Sequence, residues 1–331
     1  MKRLNRVQIG LFIGGFLLFI YSIYAFGGSS IDLIERGFVW KYLWIYLALS
    51  ALSFFPVVWR WQAILGGYNK KIGFWTLLRI QLAGFAVSYV TPSARYGGEP
   101  LRIYILKKDC KVDYKTGTAS VLLDKYMEYL GAVTFGILGL FLLVISPWMP
   151  SNFKWLLFVL MSICVIGVGF IYHRFIKEKG FFFPLFNLFV SEKRIKKMSK
   201  VLKDVDSKMS HFMIHKKKAF FLSYIFYVFS AIFFIAEFKF LLLSLGVDTT
   251  LLEGILIVIV VGAANLVPLP MAMGSMEAGQ VGLFKVLKND GSIGLIISLV
   301  EKAKNILISA IGFLLIMFFG GKKVLKEKEG V

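Results

Sequence analysis

The residues of this 331-residue chain best suited to chemistry lie in Thr91-Pro92-Ser93-Ala94-Arg95-Tyr96-Gly97-Gly98-Glu99-Pro100-Leu101-Arg102. There, two arginines, a glutamate, paired glycines and two prolines interrupt an apolar sequence. Guanidinium forks match phosphate oxygens, so Arg95 and Arg102 are suited to gripping a phosphate. Glu99 can hold those arginines, bind a cationic headgroup or carry a coupling proton. Gly97 and Gly98 permit tight backbone and close approach. A plainer reading competes: Glu99 and Arg102 are three apart, the spacing of a structural ion pair on a helix. A second segment, Pro268 to Glu277, echoes the first with Pro270, Gly274 and Glu277. Pro92 and Pro270 are expected to end the first half-helix of each segment.

Further acids and lysines accompany them. Asp124 and Glu128 are four apart and share a helical face; Glu301 and Asn305 are their counterparts later in the chain. Lys125 and Lys302 are candidates to pair with the acids of the broken segments. The plainer reading makes all of these interfacial helix ends. Glu237 and Lys239 read as an interface anchor, as do Trp59-Arg60-Trp61, whose rings and guanidinium suit the headgroup zone. There is no serine–histidine pair, Walker loop, dinucleotide fingerprint or metal cluster, so neither cofactor nor metal is expected, nor ATP-driven pumping by this chain alone. Cys110 and Cys164 fit no CxxC pattern and are expected to be free thiols. His173, His211 and His215 fall at or beyond the ends of apolar runs.

The elements that must position these groups are membrane helices. The chain is 58% hydrophobic with a mean hydropathy of +0.73, and a bilayer-spanning helix needs roughly 20 apolar residues. Six such helices are expected: Val7 to Phe26, Trp40 to about Trp61, Thr118 to Ser146, Phe153 to Tyr172, Ala219 to Leu245 and Ile293 to Phe319. Gly27 to Val39 reads as a loop. The first run has no small-residue cleavage site and is expected to be a retained helix. Phe74 to Leu106 and Leu251 to Leu287 are each apolar, broken, then apolar again. They are expected to be re-entrant hairpins, because irregular backbone at membrane depth is tolerated only inside protein or beside a wet cavity. Ile195, Met198, Val201, Leu202, Val205, Met209 and Phe212 recur at three- and four-residue spacing. They mark a basic amphipathic segment over about 174–218, expected on the cytoplasmic surface.

The net charge of +20 resides mainly between apolar runs. That is the pattern of membrane orientation and contact with anionic headgroups, not of nucleic-acid binding. The positive-inside rule places both termini in the cytoplasm of a multi-pass protein of the cell membrane. It leaves Lys285 and Lys288 outside as exceptions.

The two broken segments match in register. Gly84, Pro92, Glu99 and Lys107 have the spacing of Gly262, Pro270, Glu277 and Lys285, at an offset of 178 residues throughout. With one residue removed, Asp124-Lys125 aligns with Glu301-Lys302. The expected architecture is therefore an all-α integral membrane protein in one membrane domain. It has six transmembrane helices plus two re-entrant broken hairpins in an inverted-topology repeat, about 7–147 and 153–319.

On Arg60-Trp61, on Pro92 through Gly97-Gly98-Glu99 to Arg102, on Asp124-Lys125, and on Pro268-x-Pro270 with Gly274 and Glu277, the chain resembles the lysylphosphatidylglycerol synthase transmembrane region family. Met271-Ala272-Met273 departs from the glycine-rich form expected at the second break. In bifunctional members this region precedes a soluble domain that transfers an aminoacyl group from tRNA to phosphatidylglycerol, and the membrane part moves the product lipid outward. The resemblance implies the membrane part alone here, since Val331 follows the last helix by only a short basic tail. The expected function is translocation of a phospholipid, aminoacylated phospholipid or polyprenyl-linked lipid. Two alternatives stand beside it: a membrane-embedded lipid-modifying transferase, for which no nucleophile-plus-base set stands out, and a non-transport scaffold. The expected partners are membrane lipids with anionic headgroups, and a second copy of the chain in a homo-oligomer.

Overall fold

In a computed structural model, residues 6–35, 38–145, 151–176 and 192–328 are described, and among them the chain is helical with no strand. The helices are α1 (Arg6–Glu35), α2 (Trp40–Leu52), α3 (Phe54–Gly67), α4 (Phe74–Val90), α5 (Glu99–Cys110), α6 (Tyr114–Ile145), α7 (Ser151–Ile176), α8 (Glu192–His215), α9 (Lys217–Ser244), α10 (Leu251–Leu266), α11 (Ser275–Lys288) and α12 (Gly291–Lys328). Helices occupy all six stretches expected to span. Within the described residues, four pieces are long and apolar enough to cross a bilayer: Gly10–Glu35, Trp40–Gly67, Tyr114–Ile145 and Lys217–Ser244. The chain is an integral membrane protein. The basic start 1–5, the uncharged connection 147–150, part of the amphipathic segment (177–191) and the last residues of the tail lie outside the described residues.

One expectation needs correction and another gains detail. Gly27 to Val39 is not a loop: α1 runs on to Glu35. The Ser30 hydroxyl satisfies the carbonyl of Phe26 at 2.8 Å and also reaches that of Ser292, so this serine serves packing and not a turn. The amphipathic segment does form a helix, and the C-terminal part of its stripe packs against protein. Val205, Met209 and Phe212 are buried in a cluster with Ile64, Ala119, Leu123 and Met127. Protein supplied by α3 and α6 covers the apolar face at these three residues.

The chain divides into two compact units. One comprises Met1–Leu52, Leu78–Arg102 and Phe233–Val331; the other comprises Ser53–Leu77 and Ile103–Ile232. The first contains both breaks. Its core joins Tyr46 of α2, Phe238, Leu241 and Leu242 of α9, Ile257 and Val261 of α10, Met276 and Phe284 of α11, and Ile297 of α12. Helix α11 packs against α10 and α12, and α1 lies on α11 and α12. In the second unit, α6 packs against α3, α7 and α8.

Local chemistry sets the boundaries. Thr250 and Glu253 cap α10 reciprocally. Helix α4 stops two residues before Pro92, and α10 stops two before Pro268, as the steric demand of proline on its predecessor requires.

Candidate functional site: charge buried around two broken helices

At the first break, the Gly98 amide donates to the Ser88 hydroxyl at 2.9 Å, closing the gap between α4 and α5. A Cβ on Gly98 would fall on the Gly84 carbonyl. This position needs glycine for close approach. The left-handed backbone falls elsewhere, on Ala94 (φ 48°) and Arg95 (φ 66°). Non-glycine residues held there cost on the order of 1–3 kcal/mol each and persist only where surroundings impose them. At the second break Met271 (φ 56°) and Ala272 (φ 48°) do the same. The missing glycines of this segment are thus replaced by strained ordinary residues, a consecutive pair at each break, 177 residues apart.

The two arginines of the first break have different surroundings. The Arg102 guanidinium donates to Glu99 at 2.9 Å, both side chains are buried, and its stem runs over Gly84. This is the structural lock. Arg95 is half-buried, and its guanidinium carbon is 5.7 Å from the Phe85 ring, which stacks on Tyr89. Its Nε is buried with no hydrogen-bond partner, and among the described residues it makes no ion pair. A ring face contributes about 0.5–2 kcal/mol to a cation, too little to replace hydration of a guanidinium.

The acid of the second break is fully engaged. Glu277 is 0% exposed; one carboxylate oxygen accepts the Gly274 amide at 2.7 Å and the other holds Lys302. Gly274 has φ 82°, and a Cβ on it would collide with the Gly15 backbone of α1. Pro270 opens a 3-10 turn between α10 and α11. Lys302 also lies 4.6 Å from the Phe19 ring. Further along α12, Lys304 lies between two carboxylates, 2.9 Å from Glu237 and 2.7 Å from Glu301. Tyr46 donates to Glu301 at 3.2 Å, Asn305 to its other oxygen at 3.1 Å, and Ser50 to Glu237 at 2.8 Å. Tyr89 of α4 reaches the Lys302 carbonyl at 3.5 Å and is within electrostatic range of Arg95, Glu277, Glu301 and Lys304. Tyr89 is thus the side chain that stands near the charged groups of both breaks within this unit.

The remaining sequence candidates, Asp124, Lys125 and Glu128, belong to the other unit. Asp124 receives Arg60 at 2.7 Å; Glu128 lies 4.0 Å from Arg60 and 3.1 Å from Lys125. Arg60 and Trp61 are not interface anchors: both are buried, Trp61 donating to Ser120 at 3.4 Å, and only Trp59 is exposed. Glu237 is likewise no anchor, being 1% exposed, whereas Lys239 is exposed. Apolar neighbours in sequence disguised Glu237 and Arg60. Their signal was an ionisable group inside a long apolar run, and for Lys304 the three-residue spacing from Glu301. Lys285 and Lys288, the exceptions to the charge rule, sit in the last turn of α11. Lys288 pairs with Glu253 at 2.8 Å and Lys285 lies over Phe26. Among the described residues no group of three His, Cys, Asp or Glu is arranged to hold a metal ion.

The family model of the lysylphosphatidylglycerol synthase TM region matches residues 7–318. The chain belongs to that family. Among curated relatives of this lysylphosphatidylglycerol synthase TM region protein is a UPF0104 membrane protein of Methanothermobacter thermautotrophicus. It is 29% identical over 112 residues, which are 34% of this chain and 32% of the relative. A UPF0104 membrane protein of Pyrococcus horikoshii is 26% identical over 132 residues, 39% of this chain and 38% of the relative. The chain thus matches about a third of the length of each. No solved structure matches this family member.

Proposed function

We propose that this protein translocates a phosphate-bearing membrane lipid, with the phosphate received at Arg95. The observation carrying this reading is the contrast between the two arginines of the first break. Each has a buried Nε without a hydrogen-bond partner, but Arg102 is neutralised by Glu99, whereas Arg95 projects from strained backbone with no acidic partner among the described residues. Strain of this kind is retained where it positions a working group. Acyl tails stay in the bilayer while the headgroup passes a polar interior. The name of the family supports a lipid, and the anionic class of headgroup follows from the guanidinium.

The consecutive left-handed pairs at both breaks, with nearly the same offset as the matching sequence, support reading the chain as a duplication. Under that reading the halves insert in opposite directions in the cell membrane, with both termini cytoplasmic, and the breaks are re-entrant.

The test is fluorescent-lipid movement in proteoliposomes, with glycerophospholipids and a polyprenyl phosphate as probes. Wild-type protein is expected to exceed protein-free vesicles for at least one probe. Arg95→Gln should slow that movement about ten- to hundredfold, the loss of a charge-assisted hydrogen bond of about 1.5–3 kcal/mol. Arg102→Gln should instead lower folded yield by stranding Glu99. Wild-type rates equal to empty vesicles for every probe would remove the proposal.

A further inference from the structure

We infer that Glu237, Glu301 and Lys304 form a buried site that binds and releases one proton, with Glu237 as the group that carries it. Two carboxylates share one ammonium, and all three side chains are under 10% exposed. The groups facing Glu237 are Lys304 and Glu301 from α12 and Ser50 and Tyr46 from α2. From α10, Ile257 and Val261 belong to the apolar cluster of the adjacent Phe238. The nearest other ionic pair on α12, Lys302 with Glu277, is already balanced one to one. Glu253 at the start of α10 is taken by Lys288. Within this cluster of three, one buried carboxylate is thus left without a cation of its own, and an uncompensated buried charge costs far more than a neutral carboxylic acid.

Orphaned atoms show where the proton goes. Both oxygens of Glu301 accept hydrogen bonds, from Tyr46 and Lys304 on one and Asn305 on the other. On Glu237 the Ser50 hydroxyl and Lys304 crowd Oε2, while Oε1 is buried with no partner. The O–H bond forms at that Oε1, taking its proton from the aqueous phase and returning it there. A metal cation does not fit the same place, because the Lys304 ammonium already stands between the two carboxylates. That ammonium is fixed between ring faces, 5.1 Å from Tyr46 and 5.9 Å from Phe234. The corresponding cluster of the other unit is the comparison. Arg60 and Lys125 balance Asp124 and Glu128, and no surplus arises there. The asymmetry assigns proton exchange to one cluster.

The site itself does not depend on lipid movement. Its role in driving that movement rests on the translocation reading above, so two measurements separate them. Infrared difference spectroscopy of the full chain in nanodiscs, between about pH 5 and about pH 9, brackets the range a buried carboxyl reaches. Wild type is expected to show a protonated-carboxyl stretch that disappears toward high pH. Glu237→Gln, nearly the same shape and able to keep the Ser50 contact, should lack it while retaining helical circular dichroism. A wild-type spectrum with no such band, or an undiminished band in Glu237→Gln, overturns the inference. In proteoliposomes an imposed pH gradient should change the wild-type lipid rate and leave the Glu237→Gln rate unaffected. Equal response to the gradient in both proteins overturns the coupling role, even with the infrared result in place. Failure of all lipid movement with the infrared band present removes the translocation reading and leaves the proton site standing.

Discussion

Asp113 shows how one side chain starts a membrane helix. Its carboxylate accepts the Thr116 amide at 2.9 Å, three residues into α6. Partial burial opposes its ionisation, but the Thr116 hydrogen bonds, with Lys208 and Lys70 nearby, hold the carboxyl below the usual carboxylate range. A depressed folded value means the stabilisation is complete above the ordinary aspartate pKa of about 4 and is lost as pH falls through the folded value. Asp113→Ala should therefore cost about 0.5–1 kcal/mol at neutral pH, toward the low end for an N-cap because the site is exposed. In detergent, unfolding of variant and parent should converge on acidification; a gap that stays constant with pH would refute the assignment. Residue by residue, the sequence displayed the ionisable groups but not their partners. The i,i+3 spacing of Glu99 and Arg102 is local and was legible. The pairing of Arg60 with Asp124, or of Glu237 with Lys304, joins distant helices, and a sequence alone carries no register between them.

Helix periodicity and proline placement made the elements readable, including both breaks to within a few residues. One element was misjudged on composition. Gly27-Gly28-Ser29-Ser30 has the composition of a turn, yet lies within α1. The apolar stripe of α8 was legible, but not the protein it meets at Val205, Met209 and Phe212. The sharpest test at this scale is the crossing of α1 over the second break, where Gly274 touches Gly15 backbone at positive φ. An alanine there meets left-handed strain and overpacking together, about 2–4 kcal/mol. Gly262, also on the second broken segment, has nothing within 4 Å of the place an added methyl group would occupy, and Gly262→Ala should be neutral or slightly stabilising. Thermal unfolding of the two variants in detergent separates a geometric requirement at Gly274 from a general intolerance of the segment. Equal losses would mean the close approach does not decide the fold of this break.

For the whole molecule the deciding quantity is where charge resides. Among the described residues the interior clusters use acids and bases almost one for one, whereas the chain as a whole carries +20. Lys203, Lys217 and Lys218 are among the exposed carriers on α8 and α9. Because protein covers Val205, Met209 and Phe212 of α8, any attraction of this stretch to a membrane is expected to be electrostatic and not insertive. That attraction amounts to about 1 kcal/mol per basic residue near an anionic surface, and it decays over a Debye length of about 8–10 Å in ordinary salt. The expected outcome is a higher unfolding temperature in nanodiscs of phosphatidylglycerol than of phosphatidylcholine, with the difference shrinking as salt is raised. Neutralising Lys203, Lys217 and Lys218 should diminish the same difference, while Arg95→Gln, which removes an interior charge, should leave it in place. A lipid difference that ignores salt would mean the surplus charge does not face headgroups, and the basic residues would then need a protein partner instead.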